Sequence, residues 1–340
     1  MDERQTEQAD LDLKGRKTRA AGLSVISNTV LVALKLVVGL LIGSVSILSE
    51  AIHSGVDLLA SVIALFSVRT SGLPADSHHP YGHGKIENIS GTVEALLIFA
   101  AAAWILFEAA QKLLHPEPLE YLGWGVLVML FSAGVNFFLS EMLFRVGRET
   151  DSIALQADGW HLRTDVYTSL GVTGSLSLIW AGQGLLPGWN LHWLDPAAAL
   201  AVAALILRAA YQLTVQAAGD LLDARLPPEE EARIRGLIEA HRPVIHGFHK
   251  LRTRKAGHLR FIEFHIKVAP EMSVEASHGV TVDLSNLIER HFPGASVTVH
   301  TEPCDGRCDE SCRDGCLLSE ATRSDIRRAK QALRRGQESG

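Results

Sequence analysis

Two histidine and aspartate pairs with identical spacing lie in separate apolar stretches of the sequence. His53 and Asp57 form one pair, and His161 and Asp165 form the other. Residues i and i+4 share one face of an α-helix, so each pair would present an imidazole beside a carboxylate. Two such faces brought together would offer four ligands to one cation. Two nitrogens and two carboxylate oxygens in a tetrahedron suit Zn²⁺, and the same set also accepts Cd²⁺, Co²⁺ or Fe²⁺.

The apolar surroundings of both pairs favour a binding site over a purely structural contact. Ionisable side chains are costly inside a membrane span and usually mark a pathway or a site. Two carboxylates would also cancel the charge of a divalent ion, which makes its burial feasible. The alternative is that each histidine and aspartate simply pairs with a neighbour as a hydrogen bond between helices. Model studies value such a bond at only about 1 to 2 kcal/mol. Asp158 shares a helix face with His161 and is expected to support the site or to have a structural role.

The distribution of apolar residues predicts the domain organisation. Of 340 residues, 47% are hydrophobic, and they are concentrated in the first two thirds of the chain. We predict a mobile cytoplasmic tail at 1–19, a membrane domain at 20–218, a cytoplasmic domain at 219–303 and a cysteine-rich, basic tail at 304–340. Each apolar segment of the membrane domain is long enough to cross a bilayer core, which needs about 20 residues. The six segments are 20–43, 46–68, 89–111, 120–143, 154–182 and 194–217.

The positive residues predict the orientation of these segments. Lys and Arg lie in the N-terminal tail and in the loops after the second and fourth segments, whereas the opposite loops carry only Lys112 at their edge. By the positive-inside rule both termini are cytoplasmic, in an inner or plasma membrane. The polar start of the chain and the long first apolar run argue against a cleavable signal peptide. A formal net charge of −6 argues against binding to nucleic acid.

A different pattern begins at Arg225, where short soluble elements follow one another in the order α-β-β-α-β. Pro227 and Pro228, followed by glutamates, are typical of a helix start. This order predicts a small, ferredoxin-like sheet covered by helices. The fold class is therefore a membrane all-α bundle of six transmembrane helices plus a cytoplasmic α+β domain. The three strands of that domain are predicted at 244–254, 258–268 and 296–301, and its second helix is predicted at 273–292.

The two pairs lie in the second and fifth of six apolar segments, and an α-β-β-α-β domain follows. In this the chain resembles the cation diffusion facilitator family over about residues 20–303. The resemblance implies a homodimeric antiporter in the lipid bilayer, and not an enzyme, that exports a divalent transition metal from the cytoplasm in exchange for protons. A histidine at the position of His53 resembles the zinc-type members. Zn²⁺ is therefore the expected substrate, and Cd²⁺, Fe²⁺, Co²⁺ or Mn²⁺ are the alternatives.

Proton exchange also follows from the chemistry of these ligands. Zinc binding needs neutral imidazoles and ionised carboxylates, so arriving metal displaces protons and returning protons displace metal. Because the reference pKa of histidine is near 6.5, small shifts place this competition within the working pH range. Alternating access would keep the site from opening to both sides at once.

The resemblance also implies a peripheral metal site in the loop after the second segment. The residues that match it are Asp76, His79 and His83, whereas His78 has no matched role. The alternative is a solvated polar loop that collects ions only at high metal concentration.

Further roles implied by the resemblance concern the dimer. Lys85 resembles a member of a salt-bridge network at the dimer contact, with Asp220 or Asp223 as its partner. Positions that bind two zinc ions across the dimer interface in similar proteins, as structural or regulatory ions, are matched in the cytoplasmic domain. At one of these positions the chain has Glu302 where relatives can carry aspartate. The extra methylene changes the reach of the carboxylate, which leaves open whether it bridges two ions. The matched residues are His249, His265, His278, His300 and Glu302.

A run of cysteines lies outside the family pattern, at Cys304, Cys308, Cys312 and Cys316. Four thiolates hold zinc or an iron–sulfur cluster, although the common signatures use shorter C-x-x-C steps. A continuous helix would turn by about 40° per step, so binding of one ion needs a break, which Gly306 and Gly315 would supply. Disulfides are disfavoured in a reducing cytoplasm. A metal site and a segment without metal are equal alternatives, and the basic stretch 323–335 would contact lipid head groups or be solvated.

Two other classes of protein share some of these features. A membrane-bound metal sensor would bind metal in the cytoplasm and signal without flux, but it would not need ionisable ligands inside the membrane. An intramembrane metalloprotease is disfavoured because the sequence has no H-E-x-x-H motif. The intramembrane histidines and aspartates therefore favour transport.

Overall fold

A computed structural model of the chain describes residues 3–42, 45–114, 123–185, 193–242, 244–304, 306 and 310–338. The chain falls into two compact units, one of Glu7–Leu222 and the other of Asp223–Gly340 together with Met1–Thr6. The first unit consists of long helices, and the second contains a small sheet with helices. The predicted fold class, an apolar helical bundle followed by a small α+β domain, is confirmed.

Within the described ranges, six long helices precede the second unit. Five of them are long and apolar enough to span a membrane. The remaining one, fifth in chain order, carries Asp158, Arg163 and Asp165 in its N-terminal half, which lowers its hydropathy. This helix also carries His161 and Asp165, which are two of the four predicted ligands of the intramembrane site. The helices are α1 (Glu3–Ile42), α2 (Val45–Ser71), α3 (Lys85–Leu114), α4 (Gly123–Glu149), α5 (Ile153–Leu185) and α6 (Leu194–Leu221).

Helix α1 already begins at Glu3, so the described part of the predicted mobile tail is helical. Residues 3–19 lack apolar periodicity but not helix propensity, and the mobility of this tail stays a prediction. Glutamate, glutamine, lysine and arginine are frequent there, and all of them are good helix formers. Lys17 has only 2% of its surface exposed, so the end of this segment packs against other helices.

Small side chains line the contact between α3, α5 and α6. Ala95, Ala157 and Ala210 belong to one buried cluster there, and each is 0% exposed. Small residues let helix backbones approach closely, which drives helix association in a membrane. At Gly171 on α5, a Cβ atom would lie 2.8 Å from Cγ2 of Val202 on α6. A larger residue at this position would therefore displace the valine or push the two helices apart.

The second unit has the predicted α-β-β-α-β order and two further helices. Its elements are α7 (Pro228–Glu239), β1 (Gly247–Ala256), β2 (Leu259–Val268), α8 (Val274–His291), β3 (Ser296–Pro303), α9 (Glu310–Asp314) and α10 (Glu320–Glu338). The sheet has the order β1-β2-β3, with β1 antiparallel and β3 parallel to β2. Gly257, with φ at +60°, makes the tight turn between β1 and β2, where a side chain would be strained.

Alternate residues of β2 build the core of the second unit. Ile262, Phe264 and Ile266 are at most 1% exposed and belong to a cluster that includes residues of α7 and α8. Because successive side chains of a strand point to opposite faces, His265 and Lys267 lie on the other side of the sheet. The strand pattern therefore separates an apolar face from a polar one.

Candidate metal sites

The two histidine and aspartate pairs meet across α2 and α5, and each histidine contacts the aspartate of the other helix. His161 Nε2 lies 3.0 Å from Asp57 Oδ1. His53 Nε2 lies 3.5 Å from Asp165 Oδ1. The i, i+4 spacing puts both members of each pair on one helix face, and the contacts then run between the faces. All four predicted ligands therefore belong to one connected cluster.

The ligands of this cluster differ in exposure. The side chains of Asp57 and His161 are 4% and 7% exposed, whereas that of His53 is 54% exposed. Ligand atoms of His53, Asp57 and Asp165 lie within 4.8 Å of one another, close enough to share one ion. His161 adjoins this group through Asp57, and its Nδ1 is buried without a hydrogen-bond partner among the described residues. His53 is therefore the most exposed of the four ligands.

Buried polar side chains surround the cluster. Asn136 Nδ2 on α4 donates to Asp165 Oδ2 at 3.3 Å. Asp158 Oδ1 accepts a hydrogen bond from Ser61 Oγ at 2.9 Å, and this hydroxyl also accepts from Asn28 Nδ2 on α1 at 2.6 Å. The structure thus gives Asp158 a hydrogen-bonding role between helices. The sequence analysis missed Asn136, although an amide inside an apolar segment was a signal.

A second buried polar cluster joins α1 to the end of α2, the start of α3 and the residue before α5. Glu87 at the start of α3 is 0% exposed, and it accepts a hydrogen bond from Lys17 Nζ on α1 at 3.1 Å. The same carboxylate accepts from Ser71 Oγ at the end of α2, at 2.7 Å, and from Ser152 Oγ just before α5. Sequence analysis missed this cluster because no local spacing pairs residues 70 positions apart.

The predicted loop residues between α2 and α3 also lie together. Ligand atoms of Asp76, His79 and His83 lie within 4.8 Å of one another. The backbone amides of His79 and His78 donate to Asp76 Oδ1 at 2.6 and 2.8 Å, and these bonds, the first above all, hold the pKa of Asp76 below its usual value. Gly82, with φ at +79°, makes the turn that brings His83 back. The loop therefore offers two imidazoles and an ionised carboxylate, whereas His78 contributes a backbone amide.

The residues predicted to form a salt bridge have partners within their own units. Lys85 Nζ donates to the carbonyl of Leu221 at 3.3 Å. Asp220 accepts a hydrogen bond from an asparagine of α3 at 2.9 Å. Asp223 lies 3.4 Å from Arg254 Nη1. The proposed bridge between Lys85 and Asp223 concerns the dimer contact and stays a prediction.

In the second unit, the strand register aligns three histidines across the sheet. His249 of β1 is paired with His265 of β2, which is paired with His300 of β3. The ring centroids are 5.3 and 4.6 Å apart along this row. Glu302 adjoins it, with Oε1 2.7 Å from His265 Nδ1 and Oε2 3.2 Å from His249 Nε2. Ligand atoms of His249, His265 and Glu302 lie within 4.8 Å of one another.

The protonation states in this cluster suit a resident divalent metal. Burial raises the pKa of a carboxyl, but hydrogen bonds from Lys267 and His265 outweigh it and lower the pKa of Glu302 to about 2. Burial lowers the pKa of the His249 imidazole, and Glu302 only partly opposes this effect. Both nitrogens of His249 are buried without a hydrogen-bond partner among the described residues, despite the short approach to Glu302. A neutral imidazole with orphaned nitrogens beside an ionised carboxylate fits Zn²⁺.

The other predicted ligands of the second unit lie farther from this group. His300 Nε2 is 3.9 Å from Glu302 Oε1, and its side chain is 62% exposed. His278 is exposed on α8 and does not belong to the group within one chain, as far as the described residues extend. Its predicted role concerns the interface between two chains and stays a prediction.

Replacing Glu302 with glutamine tests the cytoplasmic cluster. In a background that carries Asp57→Asn to disable the intramembrane site, we expect zinc affinity to fall by at least about tenfold. The folded pKa of Glu302 is lowered, so its ionised form contributes fully above about pH 4.5 and is lost only as pH falls towards 2. The loss of zinc affinity caused by Glu302→Gln should therefore persist throughout pH 5 to 8, as measured at each pH by competition with a chromophoric chelator.

Glu263→Gln is the matched control for that measurement. Glu263 lies on the same face of β2, two residues from His265, but outside the metal-ligand group. The Glu263→Gln substitution should leave zinc affinity unchanged. Equal losses in both variants would mean that general surface charge, and not ligation, controls binding.

The cysteine run is interrupted in the structure. Cys304 directly follows β3, Cys312 lies on the short helix α9, and Cys316 follows it, whereas Cys308 lies outside the described residues. Helix α9 ends at Asp314, so the described cysteines do not share one continuous helix. The predicted helix break is therefore present, and Gly315 directly follows α9.

Comparisons with known proteins cover both units. The family model of the cation efflux transmembrane domain matches residues 22–222, and that of the cation efflux protein cytoplasmic domain matches residues 226–304. The first match alone covers more than half of the chain. The segment after residue 304, with three of the four cysteines, lies outside both matches.

Individual relatives match along most of their length. The transporter sll1263 of Synechocystis sp. is 35% identical over 83% of this chain and 89% of its own length. The cation-efflux pump FieF of Citrobacter koseri is 33% identical over 84% of this chain and 93% of its own length. Among solved structures, the metal-bound C-terminal domain of the CzcD transporter from Thermotoga maritima is 32% identical over 22% of this chain and 87% of its own length, with a TM-score of 0.21.

Proposed function

Because the chain belongs to the cation diffusion facilitator family of cation efflux transporters, we propose that it exports Zn²⁺ from the cytoplasm in exchange for protons. The family and the apolar helices make it an integral inner-membrane protein with a dimerisation domain. The transport site is the cluster on α2 and α5. The observation that carries this proposal is the pairing of each histidine with the aspartate of the facing helix, at 3.0 and 3.5 Å.

The charge of this cluster supports a divalent substrate. Asp57 and Asp165 supply two negative charges, which balance a divalent ion and leave the loaded site neutral. The histidines supply neutral nitrogen ligands, and the four groups together make the tetrahedral set that Zn²⁺ accepts readily. Cd²⁺, Fe²⁺, Co²⁺ or Mn²⁺ are alternative substrates for the same four residues. We assign metal selection to His53, because a histidine at this position resembles the zinc-type members of the family.

The hydrogen bonds within the cluster support proton exchange. In the absence of metal, His161 can share a proton with Asp57 across the 3.0 Å contact. A metal ion needs the lone pairs that hold such protons, so metal binding releases protons and protonation releases metal. Since α2 carries one half of the ligands and α5 the other, a shift between these helices changes access to the site. Metal and proton movements are thereby coupled in one cluster.

The accessory sites act on the cytoplasmic side, where we place both termini and the second unit. The loop residues Asp76, His79 and His83 collect metal near the membrane surface. Zinc at His249, His265 and Glu302 stabilises the dimer, with His278 and His300 as further ligands at the contact between two chains. Lys85 and Asp223 support the same dimer by a salt bridge near the membrane.

Flux measurements on inverted membrane vesicles test this proposal. With an acidic interior, we expect Zn²⁺ uptake that stops when a protonophore collapses the gradient, together with alkalinisation of the interior. The same vesicles presented with Cd²⁺, Co²⁺, Fe²⁺ and Mn²⁺ should take up these ions more slowly than Zn²⁺. Zinc binding without flux would favour a sensor, and faster uptake of another ion would reassign the substrate.

A further inference from the structure

The segment that follows the family-matched domain returns to one end of the sheet. Cys304 follows β3, and its amide donates to the carbonyl of Val268 at the end of β2, at 2.8 Å. Farther along, Cys316 forms an antiparallel bridge with Gly247 at the start of β1. The start of β1 lies beside the end of β2 because these strands are antiparallel. Cys304 and Cys316 therefore lie at the same end of the sheet, although residues 305–315 separate them in sequence.

Backbone contacts fix this return against β1. Phe248 N donates to the carbonyl of Gly315, and Leu317 N donates to the carbonyl of His246, both at 2.9 Å. A Cβ atom on Gly315 would lie 1.7 Å from the carbonyl oxygen of Phe248, and one on Gly247 would lie 2.8 Å from that of Gly315. Because backbone atoms cannot move aside cheaply, the two glycines are needed for this approach.

The return of the segment encloses a pocket that contains the three described thiols. Cys304, Cys312 and Cys316 line it together with His246. His246 Nδ1 is buried and has no hydrogen-bond partner among the described residues. Leu318 contributes an apolar wall. Three sulfur atoms and a desolvated imidazole nitrogen thus line one small space in the second unit. Among the described residues they do not form a group with all ligand atoms within 4.8 Å of one another, so metal binding would have to draw these side chains together.

Positive side chains line the same pocket. Arg323 of α10 and Lys267 of β2 are both part of its wall. Arg323 Nε is buried without a hydrogen-bond partner in the part of the chain that the structure describes. Three thiolates around a divalent ion leave one net negative charge, which these cations would offset.

We propose that Cys304, Cys312 and Cys316 form a second cytoplasmic metal site, with His246 Nδ1 as a nitrogen ligand, that binds a thiophilic divalent cation such as Zn²⁺ or Cd²⁺. Three thiolates and one imidazole make a standard tetrahedral zinc set. The site differs in chemistry from the histidine and glutamate cluster, since sulfur favours softer ions. Bound metal would fasten the segment after β3 to the strand that carries His249, which lines the same pocket. The proposal does not depend on the proposed transport function.

Cobalt spectroscopy on the full-length, reduced protein tests this site. Co²⁺ substitutes for zinc, and only thiolate ligands give an intense sulfur-to-cobalt charge-transfer band. We expect this band from one Co²⁺ per chain in the wild type and none in the triple variant Cys304→Ser, Cys312→Ser and Cys316→Ser. His246→Ala should keep the band but weaken Co²⁺ binding by at least about tenfold. Cd²⁺ should protect the three thiols from alkylation in the wild type.

Two control variants separate ligation from indirect effects. Ser319 Oγ accepts from Thr322 N at the start of α10, so Ser319→Ala loosens the same segment without removing a thiol. Asp57→Asn disables the transport site. Both variants should retain the full band. Absence of the band in the wild type, its survival in the triple variant, or Cd²⁺ that leaves all thiols equally reactive would overturn the proposal.

Discussion

Asp57→Asn is expected to reduce zinc uptake driven by a proton gradient to the level of vesicles without the protein. Asparagine keeps the size and shape of aspartate but removes one of the two carboxylate charges that balance the ion. Asp57 is 3% exposed, so water cannot replace the missing charge. Asparagine could still accept a hydrogen bond from His161 at the 3.0 Å contact, but it could not take up the proton of the imidazole. His161→Ala should also abolish uptake, because it removes a nitrogen ligand and the proton partner of Asp57.

A matched aspartate in the same unit provides the control for this result. Asp195 at the start of α6 is also buried, at 8% exposed, and accepts a hydrogen bond from Ser175 Oγ at 2.8 Å. Asp195→Asn should therefore transport zinc at a rate close to the wild type when equal amounts of protein are present. Flux retained by Asp57→Asn, or lost equally in both variants, would contradict the assignment of Asp57 to the transport site.

The transport cluster shows how far the sequence alone leads. Its i, i+4 spacing in two apolar segments predicts the ligands because a helix converts spacing into a common face. The crossed contacts, His161 with Asp57 and His53 with Asp165, depend on how α2 and α5 are rotated against each other. That rotation comes from packing, as at the small residues that α5 presents to α6, and no spacing encodes it.

The residues of the cytoplasmic cluster were predicted from the resemblance to the family, and the strand pattern explains only why some of them share a face. In a strand, alternate residues share a face, so His265 and Lys267 lie opposite the apolar residues of β2 whatever the details of packing. The register then brings His249 and His300 beside His265. What the pattern cannot supply is the contact of Glu302 with both His265 and His249, because it depends on side-chain rotamers.

The helical start of the chain shows where hydropathy misleads. Residues 3–19 have no apolar periodicity, yet α1 runs through them. Hydropathy reports which faces are buried in apolar surroundings, whereas a polar helix end can be fixed by one buried ion pair. Lys17 forms such an ion pair, because its ammonium contacts the carboxylate of Glu87 inside the bundle.

Lys17→Met should therefore destabilise the protein by about 3 to 5 kcal/mol, since it leaves the carboxylate of Glu87 buried without its cation. The side chains of Lys17 and Glu87 are 3% and 0% exposed, so solvent cannot compensate. Ser71 and Ser152 would still donate to the carboxylate, but neutral donors do not replace the positive charge. The loss of stability is measured by unfolding the detergent-solubilised protein with heat or with denaturant.

A double-mutant cycle then distinguishes the ion pair from lost packing. Glu87→Gln in the Lys17→Met background removes the charge that was left unpaired, so the double variant should be more stable than Lys17→Met alone. Arg16→Met is the control, because Arg16 pairs with Glu149 while both side chains are about half exposed. Surface pairs of that kind are worth about 0.2 to 1 kcal/mol, so the control should unfold almost as the wild type does. If the stability losses of the single variants Lys17→Met and Glu87→Gln add up to the loss of the double variant, the two residues are not energetically coupled. The helices at this cluster are then held together by packing instead.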